Sequence, residues 1–164
     1  MAASRCTARG LGRGTAVTFD LPIESPNRFA ERPSAGAAPV VKRRVLIIED
    51  QPDAATTLQS LLALQGHEVR TAPDGAAGLA LARAFDPDVV LCDLGLPIMD
   101  GFAVARAIRA DPALRDRRVV AVTGYAQPED IARSRSAGFD SHLAKPLTLA
   151  SVEAELALAN RSAV

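Results

Sequence analysis

The chain is short of cysteine, of net charge and of long apolar runs. Two cysteines, Cys6 and Cys92, occur in 164 residues, which excludes a disulfide-stapled scaffold and fits a reducing cytoplasm. Nineteen Lys and Arg balance nineteen Asp and Glu, so no basic footprint marks a nucleic-acid or anionic membrane partner. No apolar run approaches the roughly 20 residues of a membrane helix. The first ten residues carry Arg5 and Arg9 but no apolar export core. Hydrophobic residues make up 48% of the chain, enough for a folded core and too many for a disordered polymer. A small cytoplasmic domain is expected, with neither nucleic acid nor membrane as its partner.

Composition changes near residue 41. Pro22, Pro26, Pro33 and Pro39 punctuate the preceding stretch, and proline both fixes φ and removes a backbone donor, so residues 23–40 read as an extended linker. Before it, Val17, Phe19 and Leu21 alternate with Thr18 and Asp20 behind a glycine turn at 10–14, the period-two pattern of a half-buried strand. One strand is not stable alone, so this piece is expected to need a partner from outside the chain.

From Val41 onward, short apolar runs alternate with helical periodicities. The runs Arg44–Ile48, Glu68–Thr71, Val89–Cys92, Val119–Val122 and Ser141–Ala144 predict five strands, several apolar throughout, as parallel strands covered on both faces are. Ala54, Leu58, Leu61 and Leu62 predict the apolar face of a first helix, opened by Pro52 and closed by Gly66. Ala77, Leu81 and Ala84 mark a second, and Phe102, Val104, Ala105 and Ile108 a third. A fourth runs from about Pro128 to Ala137, and Val152, Leu156 and Ala159 mark a fifth. Five such units predict an α/β domain with a doubly wound five-stranded parallel sheet.

Ligands of open parallel sheets bind beyond the carboxyl ends of the strands. Glu49 and Asp50 follow the first strand, Asp93 the third, Thr123 the fourth, and Lys145 with Pro146 the fifth. In the flavodoxin-like order 2-1-3-4-5 these ends are neighbours. Two carboxylates ~4 Å apart repel by about 4 kcal/mol at an effective dielectric of ~20, so a crowded trio calls for a raised pKa or a cation. Oxygen ligands without His or Cys favour Mg2+ or Mn2+. A hard ion beside an ammonium, a hydroxyl and a lone carboxylate suits phosphoryl transfer, with Asp93 as nucleophile and Glu49 and Asp50 as metal holders. Taken singly, the same residues have ordinary readings: Asp50 as a helix cap, Asp100-Gly101 as a turn.

The segments Val45-Leu46-Ile47-Ile48-Glu49-Asp50, Val89 to Gly101, Val122-Thr123-Gly124 and Lys145-Pro146 together resemble the receiver domain of two-component response regulators over residues 41–158, within a domain expected to span 41–160. The resemblance implies that Asp93 accepts a phosphoryl group from phosphohistidine. It also implies that Glu49, Asp50, Asp93 and the Gly95 backbone carbonyl surround Mg2+, that Thr123 and Lys145 bind the phosphoryl oxygens, and that the Lys145–Pro146 bond is cis. Thr123 would move on phosphorylation, with His142 in the place of the family's switch aromatic. The partner would be a histidine kinase or a histidine phosphotransfer protein. Output, or a homodimer, would use the face of the fourth helix, fifth strand and fifth helix, with Arg133 and Arg135 as contacts. Gly95 and Tyr125, each two residues past a site residue, offer no group to orient a hydrolytic water, which predicts slow dephosphorylation. Cys92 is expected to be a buried apolar filler and Cys6 exposed.

The stretch Gly10–Pro22 resembles the last hairpin of a histidine-kinase ATPase domain. Residues 1–22 are therefore read as a remnant of such a domain, and the whole as the carboxyl piece of a hybrid sensor kinase or a separate receiver that kept a scar. The rest of a kinase is missing, so the chain is not expected to be an enzyme. With no DNA-binding module after the last helix, output is expected through protein contacts. Two other classes stay open: a phosphohydrolase using an aspartyl phosphate, for which Gly95 replaces the usual second acid, and an unphosphorylated interaction module.

Overall fold

A computed structural model describes residues 3–8, 15–20, 41–124 and 128–159, with side chains over 41–124 and 130–159. The chain divides into two units, Met1–Ala38 and Pro39–Val164. In the first, β1 (Ala3–Ala8) pairs antiparallel with β2 (Thr15–Asp20), in a register that sets Cys6 opposite Val17. The alternating segment at 15–20 is thus a strand, but its partner comes from the chain itself. Ala3–Ala8 lacks the clean alternation that betrays a half-buried strand, and so escapes a period-two reading. The glycine turn, the linker and the Cys6 side chain lie outside the described residues.

The second unit runs β3 (Arg44–Ile48), α1 (Pro52–Leu64), β4 (Glu68–Ala72), α2 (Gly75–Phe85), β5 (Val89–Asp93), α3 (Gly101–Ala110), β6 (Arg118–Thr123), α4 (Pro128–Ala137), β7 (Ser141–Ala144) and α5 (Leu149–Ala157). The sheet is parallel, in the order β4-β3-β5-β6-β7. Counted within this unit, that is 2-1-3-4-5. Successive side chains of a strand point to opposite faces, and the core divides accordingly. Leu46, Ile48, Val90, Cys92, Val119 and Ala121 meet residues of α2, α3 and α4. Val45, Ile47, Val89, Leu91, Val120 and Val122 meet α1 and α5.

Two helices seat a face rotated from the one their apolar periodicity predicts, α1 keeping Leu58 and Leu62 of that face against the core. In α1, Ala55 and Leu62 are buried, whereas Ala54 is exposed and Leu61 is 42% exposed. In α2 the buried residues are Gly75, Gly78, Ala82 and Phe85, while Ala84 is exposed and Ala77 and Leu81 are half-buried. The cause in α2 is close approach: a Cβ on Gly78 would lie 2.4 Å from Ile48 Cδ1, and one on Gly75 2.6 Å from Val104 Cγ2. A glycine face carries no hydrophobic signal but lets the helix sit down on the sheet. The predicted faces of α3 and α5 are the buried ones.

Side-chain caps set several helix starts. Asp74 accepts from Ala77 N–H at 2.8 Å and Asp100 from Ala103 N–H at 2.7 Å. Thr148 and Ser151 form a reciprocal capping box on α5. Gly66 and Gly138, just beyond α1 and α4, take positive φ of 92° and 102°, which glycine adopts without a Cβ penalty.

Candidate phosphoacceptor and metal site

Strand register assembles the site. Ile48 is level with Cys92, so the next residues, Glu49 and Asp93, emerge side by side. Asp93 is level with Val122, and Thr123 with Ala144, which brings Thr123 and then Lys145 to the same edge. Backbone bonds continue the ladder past the last side chains: Glu49 N–H to the Ala72 carbonyl at 3.0 Å, Leu94 N–H to Val122 at 3.0 Å, and Lys145 N–H to Thr123 at 2.8 Å. Asp93 and Thr123 are the final residues of their strands, one position further into regular structure than the apolar runs suggest. Asp93 is therefore held by sheet geometry and not by a loop.

Lys145 Nζ donates to Asp93 Oδ2 at 2.6 Å and to Glu49 Oε2 at 2.7 Å. The Glu49 and Asp93 side chains are 8% and 12% exposed, so both ion pairs are sheltered from water, where charge-assisted bonds are stronger. Partial burial pulls the Lys145 ammonium down, but the hydrogen bonds and charges of Asp93 and Glu49 outweigh it and hold the group above its ordinary value. The second Asp93 oxygen, Oδ1, accepts from Gly95 N–H at 2.9 Å.

Carboxylate oxygens of Glu49, Asp50 and Asp93 lie within 4.8 Å of one another. Lys145 bonds only two of these acids; Asp50 is exposed and has no ion pair among the described residues. It does not cap α1 either, since Gln51 holds that position and makes no side-chain cap bond. Three negative groups against one ammonium leave a deficit that a small oxygen-seeking dication fits, and the all-carboxylate donor set suits Mg2+. Asp100, by contrast, has the ordinary role of helix cap.

The remaining predicted residues have these places. The Lys145–Pro146 peptide bond is cis. His142 is half-buried on β7, level with Ala121, in a cleft shared with Ile131, Ser134, Arg135 and Phe139. Arg133 stacks over the Phe102 ring at 4.4 Å, so its guanidinium holds α4 against α3. Cys92 is fully buried, and burial first, then the charges of Asp93, Asp100 and Glu49, push its thiol up and keep it protonated. Tyr125 lies outside the described residues. Sequence reading missed one site determinant, Gly101: a Cβ there would stand 2.4 Å from the Asp93 carbonyl and 2.9 Å from Leu94 Cα. The Asp-Gly pair reads as a turn, and the close approach behind it involves only backbone, which leaves no mark in the sequence.

A family model described as the response regulator receiver domain matches residues 45–157. The chain is 37% identical over 131 residues to the gliding motility regulatory protein of Myxococcus xanthus, covering 79% of this chain and 17% of that one. It is 37% identical over 103 residues to the DNA-binding dual master transcriptional regulator RpaA of Synechocystis, covering 63% of this chain and 43% of that one. The chain thus spans less than half the length of these two relatives. Among solved structures, it is similar to the receiver domain of sensor histidine kinase PA1611 from Pseudomonas aeruginosa, which holds a magnesium ion in its active-site cleft. There the identity is 30%, the TM-score 0.65, and the coverage 71% of this chain and 95% of that one.

Proposed function

Since the chain belongs to the response regulator receiver domain family and carries a receiver of two-component signalling, we propose that Asp93 is its phosphoacceptor. The observation behind this reading is the contact of one ammonium, Lys145, with both Asp93 and Glu49 inside a cluster of three carboxylates. In the proposed step an Asp93 carboxylate oxygen attacks the phosphorus of a phosphohistidine. The new O–P bond forms as the P–N bond breaks, and its electron pair returns to the imidazole nitrogen of the donor. Lys145 stays beside the acceptor and offsets charge on the phosphoryl oxygens, and the Thr123 hydroxyl takes one of those oxygens as a hydrogen-bond acceptor. Glu49, Asp50, Asp93 and the Gly95 carbonyl would hold Mg2+, which when bound supplies charge neutralisation for the transferring group.

The phosphoryl group brings new charge and acceptor oxygens to the end of β5, so Thr123 and the chain after it shift, with His142 following. The output is a change of protein contacts at α4, β7 and α5, including homodimerisation; catalytic turnover is not its role. The donor is a histidine kinase or histidine phosphotransfer protein, and the chain works in the cytoplasm. We read residues 1–22 as a remnant of a kinase ATPase domain, 23–40 as a linker, and 41–160 as the receiver of a hybrid kinase. The antiparallel β1–β2 pair and the similarity to a kinase-borne receiver support that origin. The test is intact mass after incubation with acetyl phosphate and Mg2+. One phosphoryl group on the wild type and none on Asp93→Asn supports the reading; equal labelling of both, or label on neither, refutes it.

A further inference from the structure

The loop from Leu94 to Asp100 carries the acceptor strand into α3. Leu96 is buried and Met99 half-buried, whereas Pro97 and Ile98 face outward. Ile98 is 98% exposed, belongs to neither core cluster, and has φ of +69°. Met99 N–H donates to the Pro97 carbonyl at 2.7 Å, closing a three-residue turn with Ile98 at its centre. A β-branched side chain is strongly disfavoured at that φ, where glycine or asparagine sits without strain. One residue therefore combines a strained backbone with a fully hydrated apolar side chain, and nothing inside the described fold offsets either cost. Strain held at a functional edge points to an interaction made there.

The position of Ile98 indicates what covers it. It lies on the same loop as Gly95, whose N–H touches the Asp93 carboxylate. Pro52, two residues past Asp50, and Pro146, next to Lys145, are exposed as well, so exposed apolar residues follow closely on the site residues in three of its loops. A protein that brings phosphohistidine to Asp93 must set its imidazole over these acids and in doing so cover the rim. Resting on the phosphoacceptor reading above, we propose that Ile98 is the apolar anchor for the phosphohistidine-bearing protein, seated in a hydrophobic recess beside that histidine. A small phosphodonor reaches the acids without covering the loop and has no use for the anchor.

The two donor types separate the claims. The full chain and its Ile98→Gly and Ile98→Asn variants are labelled in Mg2+ by acetyl phosphate. They are also labelled by a panel of purified, phosphorylated histidine phosphotransfer proteins and kinase cores, the fastest donor for wild type serving for comparison. Acetyl phosphate should label all three chains at rates within about twofold. The protein donor should label both variants about tenfold more slowly, with the loss in donor half-saturation, as deletion of an interface anchor gives. Both variants should melt no lower than wild type, because their side chains suit the positive φ. Unchanged protein-donor rates, or equal losses with both donors, would overturn the anchor. So would labelling of wild type by acetyl phosphate but by no protein donor, or self-association lost in the variants with protein-donor rates intact. If acetyl phosphate fails on wild type too, the phosphoacceptor reading itself falls.

Discussion

Lys145 shows how one side chain ties chemistry to stability. Its ammonium spans Asp93 and Glu49, residues 52 and 96 positions away, and its folded-state pKa is raised above 10.5. A raised pKa means that the folded state holds the proton more tightly than the unfolded one. The linked stability is then complete below the unfolded value and fades as pH climbs through the folded one. In metal-free protein the urea midpoint of wild type should fall towards that of Lys145→Met only above about pH 10.5, and the two should run parallel at neutral pH. Gly101 acts through shape alone. Gly101→Ala would drive a methyl into the Asp93 carbonyl, with an expected loss of about 1–3 kcal/mol in urea unfolding and slower labelling by acetyl phosphate. Gly95 itself carries no carboxylate or amide to direct water onto Asp93, and phospho-Asp93 is predicted to persist for minutes or longer by intact mass; decay within seconds would contradict this.

Among the elements, the carboxyl end of α3 is held mainly by one arginine. Arg109 donates from Nε to the Gly138 carbonyl at 2.7 Å, from one terminal nitrogen to the Arg115 and Arg117 carbonyls, and from the other to Asp140 Oδ2 at 2.7 Å. Asp140 Oδ2 also accepts from Val119 N–H at 2.7 Å. One side chain therefore joins α3, the turn after α4 and the entry to β6. Replacement by alanine strands several carbonyls and a carboxylate, and Arg109→Ala should cost about 2–3 kcal/mol in equilibrium unfolding. The element ranges themselves were largely legible: Arg44–Ile48 and Ser141–Ala144 are strands as their apolar runs predict, and the other three grow by a residue at one or both ends. The seated faces of α1 and α2 were less so. Hydrophobicity marks residues able to be buried, while packing against Ile48 selects the glycine face of α2 because only it permits the approach.

At the scale of the molecule, sheet order converts separate acids into one electrostatic unit. Because Asp50 lacks an ion pair among the described residues, the apo site should gain stability from a dication. Mg2+ at about a hundredfold over its dissociation constant should add about 2.7 kcal/mol to unfolding. That gain should appear as a rise in Tm, vanish with EDTA, and be largely lost in Asp50→Asn. An equal Mg2+ response in Asp50→Asn would remove this residue from the metal site.

The local alternation of apolar runs with helical stripes determined the α/β class and the five strands of the sheet to within a residue at their ends, because periodicity and turn chemistry act over a few neighbouring positions. The motifs around Glu49, Asp93, Thr123 and Lys145 were legible for the same reason: each is contiguous. Tertiary structure alone decided which acids Lys145 bridges, which face of α2 meets Ile48, why Gly101 must lack a side chain, and that Ile98 stands fully hydrated at a positive φ. These depend on distances between residues far apart in the chain, or on a backbone angle imposed by the loop's two anchored ends, and neither is encoded in any short window of sequence.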